Sequence, residues 1–443
     1  MQRQNRSRRT HPESGQTILL VALAIVSLLG MAALAIDVVT LYVARTEIQR
    51  AADATALAGA KAIADSGYTT LATGDPNYGG AQGLANTMAV RAIVTLVNAN
   101  PPINLVAGAA PVLASSPVID LTTHQGNALV TVTLNRSNLP TFFSKIFGRS
   151  TANVTATATA EAYNPSNNAT FTPIAPLSLK PWLVANRDPI QTTPFINPTT
   201  GAVESVNTVV GEQIILTADC TGGLGLCTPV HQPTTFPSSR VEYLPLQVVS
   251  DTLNKNVCPS CLGATDYERS IECADVNTTI SPSCGGGVAN ATWDNSVIPG
   301  GGSGPSALGG ECLIHASSSG AGKGQDLLQD PIPPWPSGAF QIRGGIGSQL
   351  PGQLVTTSNS IVTIPIIDTS GIISLTGGPV TVVGYMQAFV NWVEDGSSPG
   401  IPAGDINITV LNISGCSTSP NSAPAVIGGA GTSPVPVRLI TPP

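Results

Sequence analysis

Charge is scarce in this chain of 443 residues: Asp, Glu, Lys and Arg together make up 10% of it, and aromatic residues only 4%. A coiled coil or a long helical bundle would need many more Glu, Lys and Arg, so that class is excluded. Histidine is rarer still, and His11, His124, His231 and His315 lie too far apart in sequence to form a visible triad. The chain has no H-E-x-x-H and no G-x-S-x-G, the short patterns that mark a zinc hydrolase or a nucleophile elbow. Gly320-Ala-Gly-Lys323-Gly resembles a phosphate loop, yet Ser317 stands where the first glycine belongs and Gly324 where Ser or Thr must follow the lysine. Asp266, Glu268 and Glu272 are carboxylates without a spacing that marks a glycosidase pair. The sequence therefore predicts no enzyme, no cofactor and no metal site. Basic residues are also few: Arg3, Arg6, Arg8 and Arg9 against Glu13 give residues 1–16 a balance of +3, which leaves −10 of the net −7 on the rest. A diffusely acidic body with no basic stripe excludes nucleic acid as a partner.

What the chain does have is Gly (45), Pro (37) and a 42% share of hydrophobic residues, the composition of a turn-rich, mainly β protein with a very apolar segment in it. That segment is Thr17 to Ile36, free of any charge. At about 1.5 Å per residue it crosses a hydrocarbon core of about 30 Å. A cleaved secretory signal has a shorter apolar core, so an uncleaved membrane helix is expected. The basic tip places the N-terminus in the cytoplasm and the body outside it.

Cysteine agrees with that side. Cys220, Cys227, Cys258, Cys261, Cys273, Cys284, Cys312 and Cys416 all lie in the second half. In an oxidising compartment they read as up to four disulfides whose pairing the sequence leaves open. Cys258-Pro-Ser-Cys261 has the spacing of a zinc knuckle or a thiol redox pair, but no second such motif follows.

Beyond Ile36 the pattern stays helical, Ala-rich and proline-free to about residue 66, which predicts one rod of roughly 75 Å. Gly30, Leu34, Asp37, Leu41, Ala44, Ile48, Ala51, Thr55, Ala58 and Ala62 recur at alternating spacings of four and three. This narrow seam of mostly small residues either covers the protein's own domain or receives a partner helix, in the latter case giving a homo-oligomer. Asp37 on that seam either marks where the helix meets water or fixes a partner's register.

Glu13-Ser-Gly15-Gln16, the apolar run, Asp37, and Tyr42-Val-Ala-Arg-Thr-Glu47-Ile-Gln-Arg50-Ala-Ala-Asp53-Ala-Thr-Ala-Leu-Ala-Gly-Ala60 resemble the N-terminal segment of TadE/TadG-like proteins, membrane-anchored components of the tight-adherence (Flp pilus) apparatus. The resemblance covers about fifty residues. It implies a single-pass, pilin-like subunit of the bacterial inner membrane that helps assemble or anchor a surface fibre, with pilus-assembly or other envelope proteins as partners. Prepilins of this apparatus are cut after a glycine and carry Glu five residues later, where this chain has Leu20 after Gly15. Longer relatives carry a metal-binding Asp-x-Ser-x-Ser; Asp368-Thr-Ser370-Gly-Ile372 breaks that pattern at its last position.

Residues 79–99 read as a second helix, and 128–134 and 154–161 alternate as antiparallel strands flanking a short apolar turn, Pro140 to Gly148. In that turn Phe142, Phe143, Ile146 and Phe147 read as a core plug or a docking patch. Asn164-Pro-Ser-Asn-Asn reads as a linker. Strand candidates follow at 208–217, 241–249, 360–367, 380–392 and 406–413, around a Cys/Gly-rich insert at 255–340. The expected fold is α+β: a basic tip (1–16), a transmembrane helix (17–36), a pilin-like helix on a small antiparallel sheet (37–163), and a disulfide-stapled, sandwich-like β domain (164–443). The expected function is pilus assembly or anchoring through protein contacts; the alternatives are a tethered hydrolase-like enzyme or a surface-binding protein that shares only the anchor.

Overall fold

In the computed structural model the described residues are 14–71, 74–76, 78–123, 127–167, 174–176, 179–204, 209–218, 239–248, 265–272, 284, 289–315, 325–329, 341–348, 350–355, 358–370, 377–397, 401–416, 426–427 and 434–440. Most of the expected basic tip and much of the Cys/Gly-rich insert, including the loop at Lys323, lie outside them.

The rod forms as one helix, α1, Ser14–Asp65. Nothing within it breaks the hydrogen-bond ladder, since it has no proline and is dominated by Ala, Leu and other good helix formers. It ends where Gly67 takes a left-handed φ of 75°, a conformation that costs glycine little. A Cβ at that position would also stand 2.5 Å from Val210 Cγ1. A second helix, α2, spans Tyr78–Val97.

Strands β1 (Val112–Leu113), β2 (Val118–Asp120), β3 (Ala128–Pro140) and β4 (Thr151–Ala162) follow. Both long strands outrun the alternation that predicts them. Threonine pairs on facing strands, Thr131 with Thr159 and Thr133 with Thr157, exchange hydroxyl hydrogen bonds of 2.9 and 3.0 Å, the cross-strand contacts that fix register. The loop 141–150 between β3 and β4 holds one 3-10 turn, Ser144–Phe147.

Downstream, β5 (Trp182–Ala185), β6 (Gln213–Ala218), β7 (Arg240–Pro245), α3 (Asp266–Glu272), α4 (Pro305–Leu313), β8 (Ile361–Ile367), β9 (Val382–Val393), β10 (Ile406–Gly415) and β11 (Val437–Ile440) come in chain order. Six of them close a barrel in the order β8, β9, β10, β6, β7, β5. The mixed α+β class holds, but where two facing sheets were expected there is one closed sheet. Parallel pairing at β6–β7 and β5–β8 joins what would otherwise be open edges, and closure removes unpaired edge groups. Val184, Leu216, Tyr243, Ile366, Phe389 and Ile408 are fully buried. Strand β11 does not join the barrel. It pairs with β4, Val437 opposite Ala162 and Ile440 opposite Thr159, in the sheet of order β1, β3, β4, β11. Arg438 there binds Glu161 at 2.7 Å and lies over the Tyr163 ring.

Compactness divides the chain into one unit of the residues up to Thr55 with Leu96–Ser116 and Val132–Ala158, and a second of Ala56–Thr95, Pro117–Thr131 and Thr159–Pro443. That is not a cut at residue 163. Asn164, read from sequence as a linker start, is buried: its side-chain amide donates to Thr69 O (3.1 Å) and Ile413 O (3.0 Å), and its oxygen accepts from the Ser414 hydroxyl (3.1 Å).

Cys284 and Cys416 form a disulfide that ties the insert to the end of β10. Cys312 is also disulfide-bonded, with its partner outside the described residues, as are Cys220, Cys227, Cys258, Cys261 and Cys273.

Candidate functional site

The residues that the seam singles out come to lie on one face of α1. From Ala51 onward the buried stripe is wide, two neighbouring residues per turn: Ala51 and Ala52, Thr55 and Ala56, Ile63 and Ala64. Nearer the apolar run it narrows to Asp37, Ala44 and Ile48, the spacing of a seam rather than of a broad face. Small side chains there allow backbones to approach closely. At Gly59, in the second unit, a Cβ would meet Val130 Cγ1 at 2.8 Å and Ile93 Cδ1 at 2.9 Å.

Asp37 carries the most specific geometry. Although it follows the charge-free run directly, it is only 3% exposed. One carboxylate oxygen accepts the Phe142 N–H at 2.9 Å; the other accepts the N–H groups of Phe143 at 3.0 Å and Ser144 at 2.6 Å, and the Ser144 hydroxyl at 2.7 Å. These amides open the 3-10 turn and have no carbonyl partner within it. Asp37 thus caps, from another element, a turn that lies over a hundred residues downstream. The Ser144 hydroxyl first, and then the three amides, hold its carboxyl down at about 2, against the opposing effect of burial. Farther along the rod, the Glu47 carboxylate accepts the Ala107 N–H at 2.7 Å, and the Gln49 amide donates to Asp53 and to Thr157 O at 3.2 Å.

The seam is therefore divided. Asp37, Ala44, Ile48 and Ala51 are buried within the protein and Leu41 is half-buried, so these positions do not offer themselves to a partner helix as the sequence reading allowed. The clasp around Asp37 shows the reason: the protein's own hairpin already occupies this side. Gly30 and Leu34 remain open, and of residues 17–36 all but Ala33 are exposed. The same helix has a mean hydropathy of 2.8 in its most apolar window, long and apolar enough to cross a membrane. Sequence reasoning missed the clasp partners Phe142–Ser144. The available signal was local only, a Ser inside an apolar turn bracketed by Pro140 and Gly148.

The second unit has its own buried polar groups. Lys180, fully buried, donates from Nζ to Ile271 O at 2.7 Å at the end of α3, and burial lowers its ammonium to about 7. Glu268 and Glu272 are buried on α3, while Asp266 pairs with Arg269 at 3.8 Å. The Asp368 carboxylate caps its own turn through the Ser370 N–H at 2.9 Å, beside a cavity that Arg187 and Asn186 also line. Among the described residues no three His, Cys, Asp or Glu side chains are grouped to hold a metal.

Burial, and then the charge of Asp188 beside it, raises the Glu212 carboxyl to about 8. Glu212 is therefore protonated in the fold at neutral pH, and the stability this contributes is complete below about 4.5 and lost as pH rises through about 8. Glu212→Gln should raise the thermal midpoint by roughly 2–4 °C at the alkaline end of that window and leave it unchanged at the acid end. Melting curves of both proteins across the range check this, and parallel curves would refute it.

A long helix whose first half is apolar and exposed and whose second half is buried along one side is consistent with an N-terminal membrane anchor. Residues 15–62, which span the apolar run, Asp37 and most of the buried stripe, match the family model of Flp pilus-assembly TadE/G-like proteins. No curated protein and no solved structure matches the chain.

Proposed function

We propose that the protein is a single-pass subunit of the bacterial inner membrane, its N-terminus cytoplasmic and its body periplasmic or extracellular, which acts in assembly or anchoring of an Flp-type pilus. It works by protein–protein contact and not by catalysis, and its rod and first sheet play the part of a pilin-like module. The observation that carries this reading is the family match over residues 15–62 coinciding with a helix whose first half is apolar and exposed on nearly every side. Fixed in the protein by Asp37, the rod presents Gly30 and Leu34 as the open remainder of its seam. A second copy or another envelope helix has room to approach there.

Photo-crosslinking from position 34 in native membranes tests this. The expected result is an adduct with a pilus-apparatus protein or with a second copy, lost when the probe is moved to the opposite face at Ala32 or Ile36. Lipid adducts alone from position 34, with no pilus-apparatus protein recovered, would overturn the proposal.

A further inference from the structure

We propose that the tip of the β3–β4 hairpin, residues 141–150, is a second membrane contact that inserts Phe142 into the lipid headgroup region beside the helix. This rests on the reading of residues 17–36 as a membrane span. The tip's position follows from the clasp. Asp37 is the first residue after the apolar run, and its bonds of 2.6 to 3.0 Å hold the backbone of Phe142–Ser144 at that level of the rod. Wherever the bilayer lies on the helix, it meets the tip at the height of Asp37.

That height is below the end of the apolar surface. Past Asp37 the exposed residues are still Val38, Val39, Tyr42 (73% exposed) and Val43, and the first exposed charge is Arg45. The water boundary consequently falls near Tyr42, an aromatic of the kind that settles at headgroup level, about 7 Å farther along the rod than Asp37. A tip level with Asp37 sits that far into the interface, the depth to which surface-bound apolar side chains reach.

The tip is suited to that place. Phe142 is 62% exposed although its backbone is fixed, and the turn is closed by Gly148 N–H to Lys145 O (3.0 Å) and Arg149 N–H to Ser144 O (3.1 Å). Lys145 and Arg149 are exposed, residues 141–150 contain no acid, and Asp37, the carboxylate at the tip, is taken up by the clasp. An apolar wedge flanked by two cations complements a surface of anionic phosphates.

The test uses the full chain, disulfides intact, in vesicles of phosphatidylcholine and phosphatidylglycerol, with one environment-sensitive fluorophore placed at Val26→Cys, Phe142→Cys or Ile346→Cys. Ile346 is 80% exposed and reports bulk water. Doxyl-labelled lipids should quench, and blue-shift relative to detergent-free buffer should mark, the probes at 26 and 142 but not at 346. With Lys145→Glu and Arg149→Glu, quenching at 142 should fall while that at 26 stays. Quenching at 26 with none at 142 would overturn the tip contact and leave the anchor standing. A probe at 142 shielded from aqueous iodide yet untouched by doxyl lipid would assign the tip to a protein partner and overturn it likewise. No quenching at 26 would refute the membrane span itself, and the tip contact with it.

Discussion

Asp37→Ala should free the hairpin tip and leave the barrel as it is. The substitution removes the acceptor for three backbone amides and one hydroxyl at once, and charge-assisted bonds of this kind are the strong ones. Amide exchange at Phe142, Phe143 and Ser144 should accelerate by about tenfold or more, with β9 and β10 unaffected. The same contact is legible in a pH series. The carboxyl titrates at about 2 in the fold against an ordinary 3.8, so the unfolded state binds the proton more readily. The clasp's contribution is complete above about pH 3.8 and is lost as pH falls through about 2. Asp37→Asn should show weak tip protection at every pH and no such acid transition. Hydrogen exchange followed by mass spectrometry on the membrane-reconstituted chain makes both measurements. Equal exchange in wild type and variants would mean that the turn is held by something other than this carboxylate.

The other large effect is expected at a glycine pair in the barrel wall. Gly384 on β9 faces Gly415 on β10, and the Ile196 side chain fills the notch they leave. A Cβ on Gly415 would stand 2.1 Å from Gly201 O and 2.7 Å from Ile196 Cγ2; one on Gly384, 2.3 Å from Ile196 Cδ1 and 2.5 Å from Ser414 O. An isoleucine terminus can rotate away, but two backbone oxygens held in ladder and turn cannot. Gly415 also donates its N–H to Ser166 Oγ at 2.7 Å and precedes the Cys416 disulfide. Gly415→Ala should therefore cost about 3 kcal/mol, at the upper end of overpacking effects. Gly79→Ala, on an exposed turn of α2 with nothing within 4 Å, should be neutral or stabilise by about 0.5–1 kcal/mol. Denaturant unfolding of the two variants gives the comparison, and a Gly415→Ala midpoint equal to wild type would show that the wall yields more than its packing implies.

These two sites illustrate what the amino-acid pattern discloses and what it hides. Periodicity carried the rod to within a residue of Asp65, and α2, β8, β9 and β10 to within two residues at each end, because each is long and one face or both is apolar; it located β3 and β4 but stopped well short of Pro140 in the one and began after Thr151 in the other. The four-residue strand β5 escaped, being shorter than any periodic window and preceded by Pro181. Barrel closure escaped too. It depends on which edges meet: β5 pairs with β8, far away in sequence, and β6 runs parallel to β7 although the two are consecutive in the chain. At the site, the spacing of small residues included the buried Asp37, Ala44, Ile48, Ala51 and Thr55 but also the exposed Gly30 and Leu34 and the half-buried Leu41, Ala58 and Ala62, and it did not disclose what buries the first set. Asp37 and Ser144 are ordinary residues separately; only the fold makes them a cap and its turn.

The pairing of β11 with β4 sets an order of events. The rod, β3 and β4 leave the ribosome well before the strand that covers the far edge of β4, because β11 follows them far downstream in the chain. Until it arrives, residues 159–162 present unpaired amides and carbonyls, the kind of edge that recruits other chains, and neither the Arg438–Glu161 pair nor the Tyr163 contact exists. A chain halted or clipped before Val437 would carry the whole of α1 and all six barrel strands and still display that open edge. Closure of an early sheet by a late strand thus makes the outer edge of β4 a surface that is covered only in a chain extending through Ile440.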